Sequence, residues 1–144
     1  MGQTPDRQHK KTILVVDDDA AILAVVSGML AKNADYNVLT ASTGSDGLQQ
    51  SRNFKGEINL LLSDFQMPDM SGVDLATAMT LDRPQLKVLL MSGFPGGTLV
   101  LNEGWHFLPK PFVPSQLRAL VVGLVSPDKK SQFSNSSLPE IAIP

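Results

Sequence analysis

Thr12-Ile13-Leu14-Val15-Val16-Asp17-Asp18-Asp19 is the stretch whose reading decides the fold. Five β-branched or apolar residues in succession leave no polar face, so the segment suits a strand covered on both sides, as in a parallel sheet. Three aspartates then stop it abruptly. Beyond them Ile22, Leu23, Val26, Met29 and Leu30 recur at helical spacing, which predicts a helix packed on the sheet.

The same alternation runs outward along the chain. Tyr36 to Ala41 reads as a second strand carrying Val38, and Ser45 to Asn53 as a weaker helix supported mainly by its place in the pattern. Ile58 to Leu62 is a third apolar strand, followed by Ser63 and Asp64. After the turn Pro68 to Gly72, the stretch Val73 to Leu81 reads as a helix that stops before Pro84. Leu86 to Met91 and Trp105 to Leu108 are two more strands, and Leu117, Leu120, Val121 and Leu124 form the apolar stripe of a last helix. Strands alternating with helices imply an α/β three-layer sandwich, a parallel sheet with right-handed crossovers on both faces. In such sheets chemistry sits beyond the carboxyl ends of the strands.

Composition narrows the function classes. With 144 residues, 42% of them hydrophobic, one domain can bury a core unaided, and the absence of cysteine excludes disulfides, thiol catalysis and cysteine-bound zinc. A net charge of −2 with scattered Lys and Arg gives no basic field for nucleic acid. Met1 to Thr12 is polar and precedes only a short apolar run, so neither a signal peptide nor a membrane span is expected, and the protein is expected in the cytoplasm. Residues 1–11 read as a flexible lead-in, 12–126 as the folded domain, and 127–144, rich in Ser, Asn, Lys and Pro, as a disordered tail.

The strand ends collect one set of polar residues: Asp17, Asp18 and Asp19 after the first, Asp64 after the third, Ser92 after the fourth and Lys110 after the fifth. Taken singly, each has a plain reading. Asp19 suits a helix N-cap, Asp64 a turn, Ser92 a loop hydroxyl and Lys110 a solvated charge. Taken together they do not. Carboxylates gathered at one mouth repel by about 4 kcal/mol per pair at 4 Å and an effective dielectric of 20, so they need cations. Lys110 is one. Mg²⁺, which prefers oxygen ligands and is typically held by one or two carboxylates plus phosphate, is the other, with Asp17 and Asp18 as its natural holders. Asp64 can then be a carboxylate nucleophile for a phosphoryl group, Ser92 a hydrogen-bond donor to it and Lys110 its counter-charge.

At this point the chain resembles a family. The runs Ile13 to Asp19, Leu62-Ser-Asp-Phe-Gln-Met-Pro-Asp-Met-Ser-Gly72, Leu90-Met-Ser-Gly93 and Phe107-Leu-Pro-Lys-Pro-Phe112 resemble the response-regulator receiver domains of two-component signalling, over roughly residues 11–125. The resemblance implies a flavodoxin-like (βα)5 fold with a five-stranded parallel sheet of order 2-1-3-4-5. It implies Asp64 as phosphoacceptor, Mg²⁺ on Asp17, Asp18, Asp64 and the backbone carbonyl of Gln66, Ser92 and Lys110 as phosphoryl contacts, and Phe107 as an aromatic switch. Lys110-Pro111 is a candidate cis peptide, which the family usually has and which would aim the ammonium into the site; the statistics of X-Pro bonds favour trans.

The partners implied are a sensor histidine kinase or phosphotransfer protein upstream and another protein downstream. No output domain follows Val125, and the starting Met and the tail point to a stand-alone regulator, monomeric or weakly dimeric, rather than a receiver cut from a hybrid kinase. Between Ser92 and Lys110 the chain is shorter than the family pattern, so a helix near Thr98 to Glu103 is expected to be short or irregular. Phe94, two residues past Ser92, is expected to shield the acyl phosphate and slow its hydrolysis. Two other readings compete. A phosphorylation-independent binding module would keep the fold without the chemistry. A haloacid-dehalogenase-type phosphohydrolase would use Asp17 and Asp19, but it needs Thr or Val where Ala21 stands and paired acids that Val113 to Val125 lacks.

Overall fold

Runs with no polar face must be covered from both sides, and the fold follows from that demand. In the computed structural model, which describes residues 10–93 and 104–126, the order is β1 (Lys11–Val16), α1 (Ala20–Ala31), β2 (Tyr36–Ala41), α2 (Gly44–Asn53), β3 (Leu60–Asp64), α3 (Gly72–Asp82), β4 (Lys87–Ser92), β5 (Trp105–Pro109) and α4 (Pro114–Val125). The strands form one sheet, β2-β1-β3-β4-β5, with every pairing parallel. This is the order that the family resemblance implies. Most of the expected lead-in, the helical stretch near 98–103, Phe94 and the tail lie outside the described residues. No helix of the described residues is long and apolar enough to cross a membrane.

The pleat sends neighbouring side chains to opposite faces, and each face builds its own core. Ile13, Val15, Leu60, Leu62, Leu89, Met91 and Leu108 meet Val26 and Leu30 of α1 and Leu117, Val121 and Val125 of α4. Leu14, Val16, Leu61, Val88, Leu90 and Trp105 meet Leu75, Ala76 and Met79 of α3 on the other side. Each fully buried aliphatic side chain stabilises the fold by about 1.5–3 kcal/mol.

The third strand starts later and runs further than its apolar run suggests. Asn59 takes the first position: its N–H donates to the Thr12 carbonyl, and its side-chain Oδ1 accepts from the Thr12 N–H, both at 2.8 Å. The ladder then continues through Ser63 and Asp64, which stand beside Leu90 and Met91. Backbone pairing is indifferent to those polar side chains, so the strand carries Asp64 to its very end.

The weakly patterned α2 is fastened from outside. Its N-cap Thr43 accepts from the Asp46 N–H at 3.0 Å. At its other end Arg83 donates to the carbonyls of Ser51, Phe54 and Gly56 at 2.8, 3.1 and 2.8 Å. Those carbonyls lie in the last helical turn and just beyond it, where no intrahelical donor follows.

Candidate functional site

Four chain segments end at one edge of the sheet, and their polar residues meet there. Asp17 follows β1 with 1% of its side chain exposed, Asp64 closes β3 with 13% exposed, and Asp18 lies at the surface. Carboxylate oxygens of Asp17, Asp18 and Asp64 all lie within 4.8 Å of one another. Lys110, immediately after β5, reaches the buried Asp17 and the half-buried Asp64, with Nζ 2.6 Å from Asp64 Oδ1 and 3.4 Å from Asp17 Oδ2. Its backbone N–H donates to the Ser92 carbonyl at 2.7 Å, so the last residue of β4 anchors the lysine. The Lys110-Pro111 peptide is cis, against the statistical expectation for such bonds.

Burial pushes the Asp17 carboxyl above the usual carboxylate range; the Asp19 N–H at 2.8 Å and the Lys110 charge pull it down, and the Asp64 charge adds to the rise. For Lys110 burial acts downward, but the hydrogen bond to Asp64 and the charges of Asp17 and Asp64 outweigh it and hold the ammonium above the usual lysine value. Among the described residues one cation thus faces three carboxylates. A donor set of carboxylate oxygens with excess negative charge fits a hard divalent ion such as Mg²⁺ and does not fit a thiophilic one.

Asp19 keeps the plain role. Its Oδ1 accepts from the N–H groups of Ala21 and Ile22 at 2.9 and 3.2 Å, as the N-cap of α1. Phe107 lies half-buried on β5, packed on the core beneath α2 and α3 rather than among the carboxylates. Gln66 is exposed, two residues past Asp64, in a loop closed by the Gly72 N–H donating to the Phe65 carbonyl at 2.7 Å and by an antiparallel bridge between Gln66 and Ser71. Gly72 is required there, because a Cβ would run into the carbonyl oxygen of Asp64.

One polar residue of this loop escapes sequence reading. Asp69, which looks like a turn former, bonds across to Gly44 and Ser45 at the start of α2. Its partners stand 25 and 24 residues earlier in the chain, and no local pattern signals them.

A parallel sheet of order β2-β1-β3-β4-β5 with acids and a lysine at its carboxyl edge defines a doubly wound, flavodoxin-like α/β domain. Residues 13–122 match the response regulator receiver domain, and the chain belongs to that family. Among curated proteins it is 30% identical over 121 residues to the sensor kinase CckA of Brucella abortus, covering 81% of this chain and 13% of that one. It is 28% identical to the cell cycle response regulator CtrA of Brucella ovis, covering 81% of this chain and 51% of that one. The chain thus spans about half or less of these relatives. Among solved structures, a CheY-like receiver domain protein from Methanospirillum hungatei superposes with a TM-score of 0.74 at 31% identity, covering 85% of this chain and 98% of that one. The receiver domain of the hybrid histidine kinase CckA gives 0.68 at 30% identity, covering 80% and 99%.

Proposed function

We propose that this receiver accepts a phosphoryl group on Asp64 from a phosphohistidine of a sensor kinase or phosphotransfer protein, in a Mg²⁺-dependent reaction in the cytoplasm, and signals to a partner protein by changing conformation. The observation that carries this is the meeting of three carboxylates within 4.8 Å, two of them held by one lysine. Asp17, Asp18, Asp64 and the Gln66 carbonyl would hold the ion. When bound, Mg²⁺ supplies positive charge against the oxygens of the transferring group.

The chain's own residues do the rest. An oxygen of Asp64 attacks phosphorus, the P–N bond breaks with its electron pair remaining on the imidazole nitrogen, and an acyl phosphate results. Lys110, already 2.6 Å from Asp64, neutralises a phosphoryl oxygen, and the Ser92 hydroxyl donates to another. Movement of Lys110 and Ser92 toward the phosphoryl group is transmitted along β4 and β5, where Phe107 packs half-buried on the core. The phosphohydrolase reading is disfavoured because its second acid, Asp19, is engaged as a helix cap.

The test is incubation with Mg²⁺ and acetyl phosphate followed by intact mass. Wild type should gain one phosphoryl group and Asp64→Asn none. An unmodified wild type would overturn the reading in favour of a phosphorylation-independent binding module.

A further inference from the structure

The loop between β3 and α3 is fixed at its base by its own backbone bonds, and by the Phe65 N–H donating to the Met91 carbonyl at 2.7 Å. Its tip is fixed elsewhere. Asp69 Oδ1 accepts from the Gly44 N–H at 3.1 Å, and Oδ2 accepts from the Ser45 N–H at 2.8 Å and the Ser45 hydroxyl at 2.9 Å. The Met70 side chain lies over Gly44 so closely that a Cβ there would run into it. The turn so gripped is itself joined to the acid cluster, because the Ala41 carbonyl just before it accepts from the Asp17 N–H at 3.2 Å.

We propose that Asp69 is a positioning residue of the metal site: by clasping the start of α2 it fixes the Gln66 loop against the strand end that carries Asp17. The inference rests on the functional reading above. A purely structural role would be to cap α2, since a carboxylate at a helix N-terminus satisfies open N–H groups and faces the positive end of the dipole. Those donors, the Ser45 N–H foremost, hold the Asp69 carboxyl below the usual carboxylate range. The helix end, however, has a second cap in Thr43, whose side chain accepts from the Asp46 N–H within its own helix and not from the loop. Both residues close the same helix end, and of the two only Asp69 joins that end to the Gln66 loop.

That difference makes the test. Mg²⁺ is titrated calorimetrically into wild type, Asp69→Ala, Asp69→Asn and Thr43→Ala, and each variant's stability is measured without metal. Asp69→Ala should raise the Mg²⁺ Kd on the order of ten-fold, as loss of an outer positioning contact does. Asp69→Asn, which keeps a side-chain acceptor, should fall between it and wild type. Thr43→Ala should destabilise α2 comparably yet leave Kd within about two-fold. Equal Kd values for the two alanine variants, or a wild-type Kd for Asp69→Ala, would overturn the inference and leave the functional reading standing. A wild type that binds no Mg²⁺ would overturn both.

Discussion

His106 shows how one residue of an edge strand sets a pH response away from the acids. It lies half-buried on β5, and burial first, then the positive charge of Lys87, hold its imidazole below the usual value of 6.5. The folded chain therefore binds fewer protons than the unfolded chain just below that pH. The stability tied to His106 is complete above the unfolded pKa and is lost as pH falls through the folded one. Urea unfolding at about pH 7.5 and about pH 5.5 should show wild type losing stability on acidification and His106→Gln losing less. Single residues are also where reading from sequence succeeds and fails most clearly. Asp17, Asp64 and Lys110 are legible because a parallel sheet gathers its strand ends, so position along the pattern stands in for position in space. Asp69 is not, because its partners come from another loop, and the cis isomer of Lys110-Pro111 is legible only through the family resemblance, because local statistics favour trans.

Among the elements, α2 depends most on others. Its sequence, Gly44 to Asn53, carries Leu48 as its only large apolar residue, and its boundaries are written in residues outside it: Thr43, Asp69 and Arg83. Arg83 also donates to the Ser51 hydroxyl at 3.1 Å, and Arg52 pairs with Asp82 at 3.2 Å, so α2 and α3 are laced together along one side. Arg83→Ala strips three carbonyls of their side-chain donor and should cost about 1–3 kcal/mol in chemical denaturation, with α2 amides losing hydrogen-exchange protection first. A continuous apolar run marks a buried strand without help from distant residues, as at β1, whereas α2 is marked mainly by its place in the alternation. At β3 the apolar run from Ile58 misplaces the strand, which begins at Leu60, just after Asn59 accepts from the Thr12 N–H through its side chain.

At the scale of the molecule, two cores share one sheet, and cooperative two-state unfolding should melt them together. Leu89→Ala in the core under α1 and α4, and Leu61→Ala in the core under α2 and α3, should each cost about 2–5 kcal/mol. Trp105, the single tryptophan, belongs to the second core, yet for Leu89→Ala its fluorescence should report the same midpoint as far-UV circular dichroism. Separate midpoints would mean that the faces unfold independently. The parallel three-layer class is legible from alternation, because a βα repeat leaves few ways to bury its strands, whereas the strand order comes only with the family resemblance. One consequence lies in time rather than space. The ribosome delivers Asp17, Asp18 and Asp64 well before Lys110, and the sheet places the lysine's strand at its outer edge. A half-synthesised domain that has already paired β1 with β3 carries its acids without their lysine, and it gains that counter-charge only when β5 docks on β4. For the nascent chain, adding the last strand and neutralising the mouth are one event.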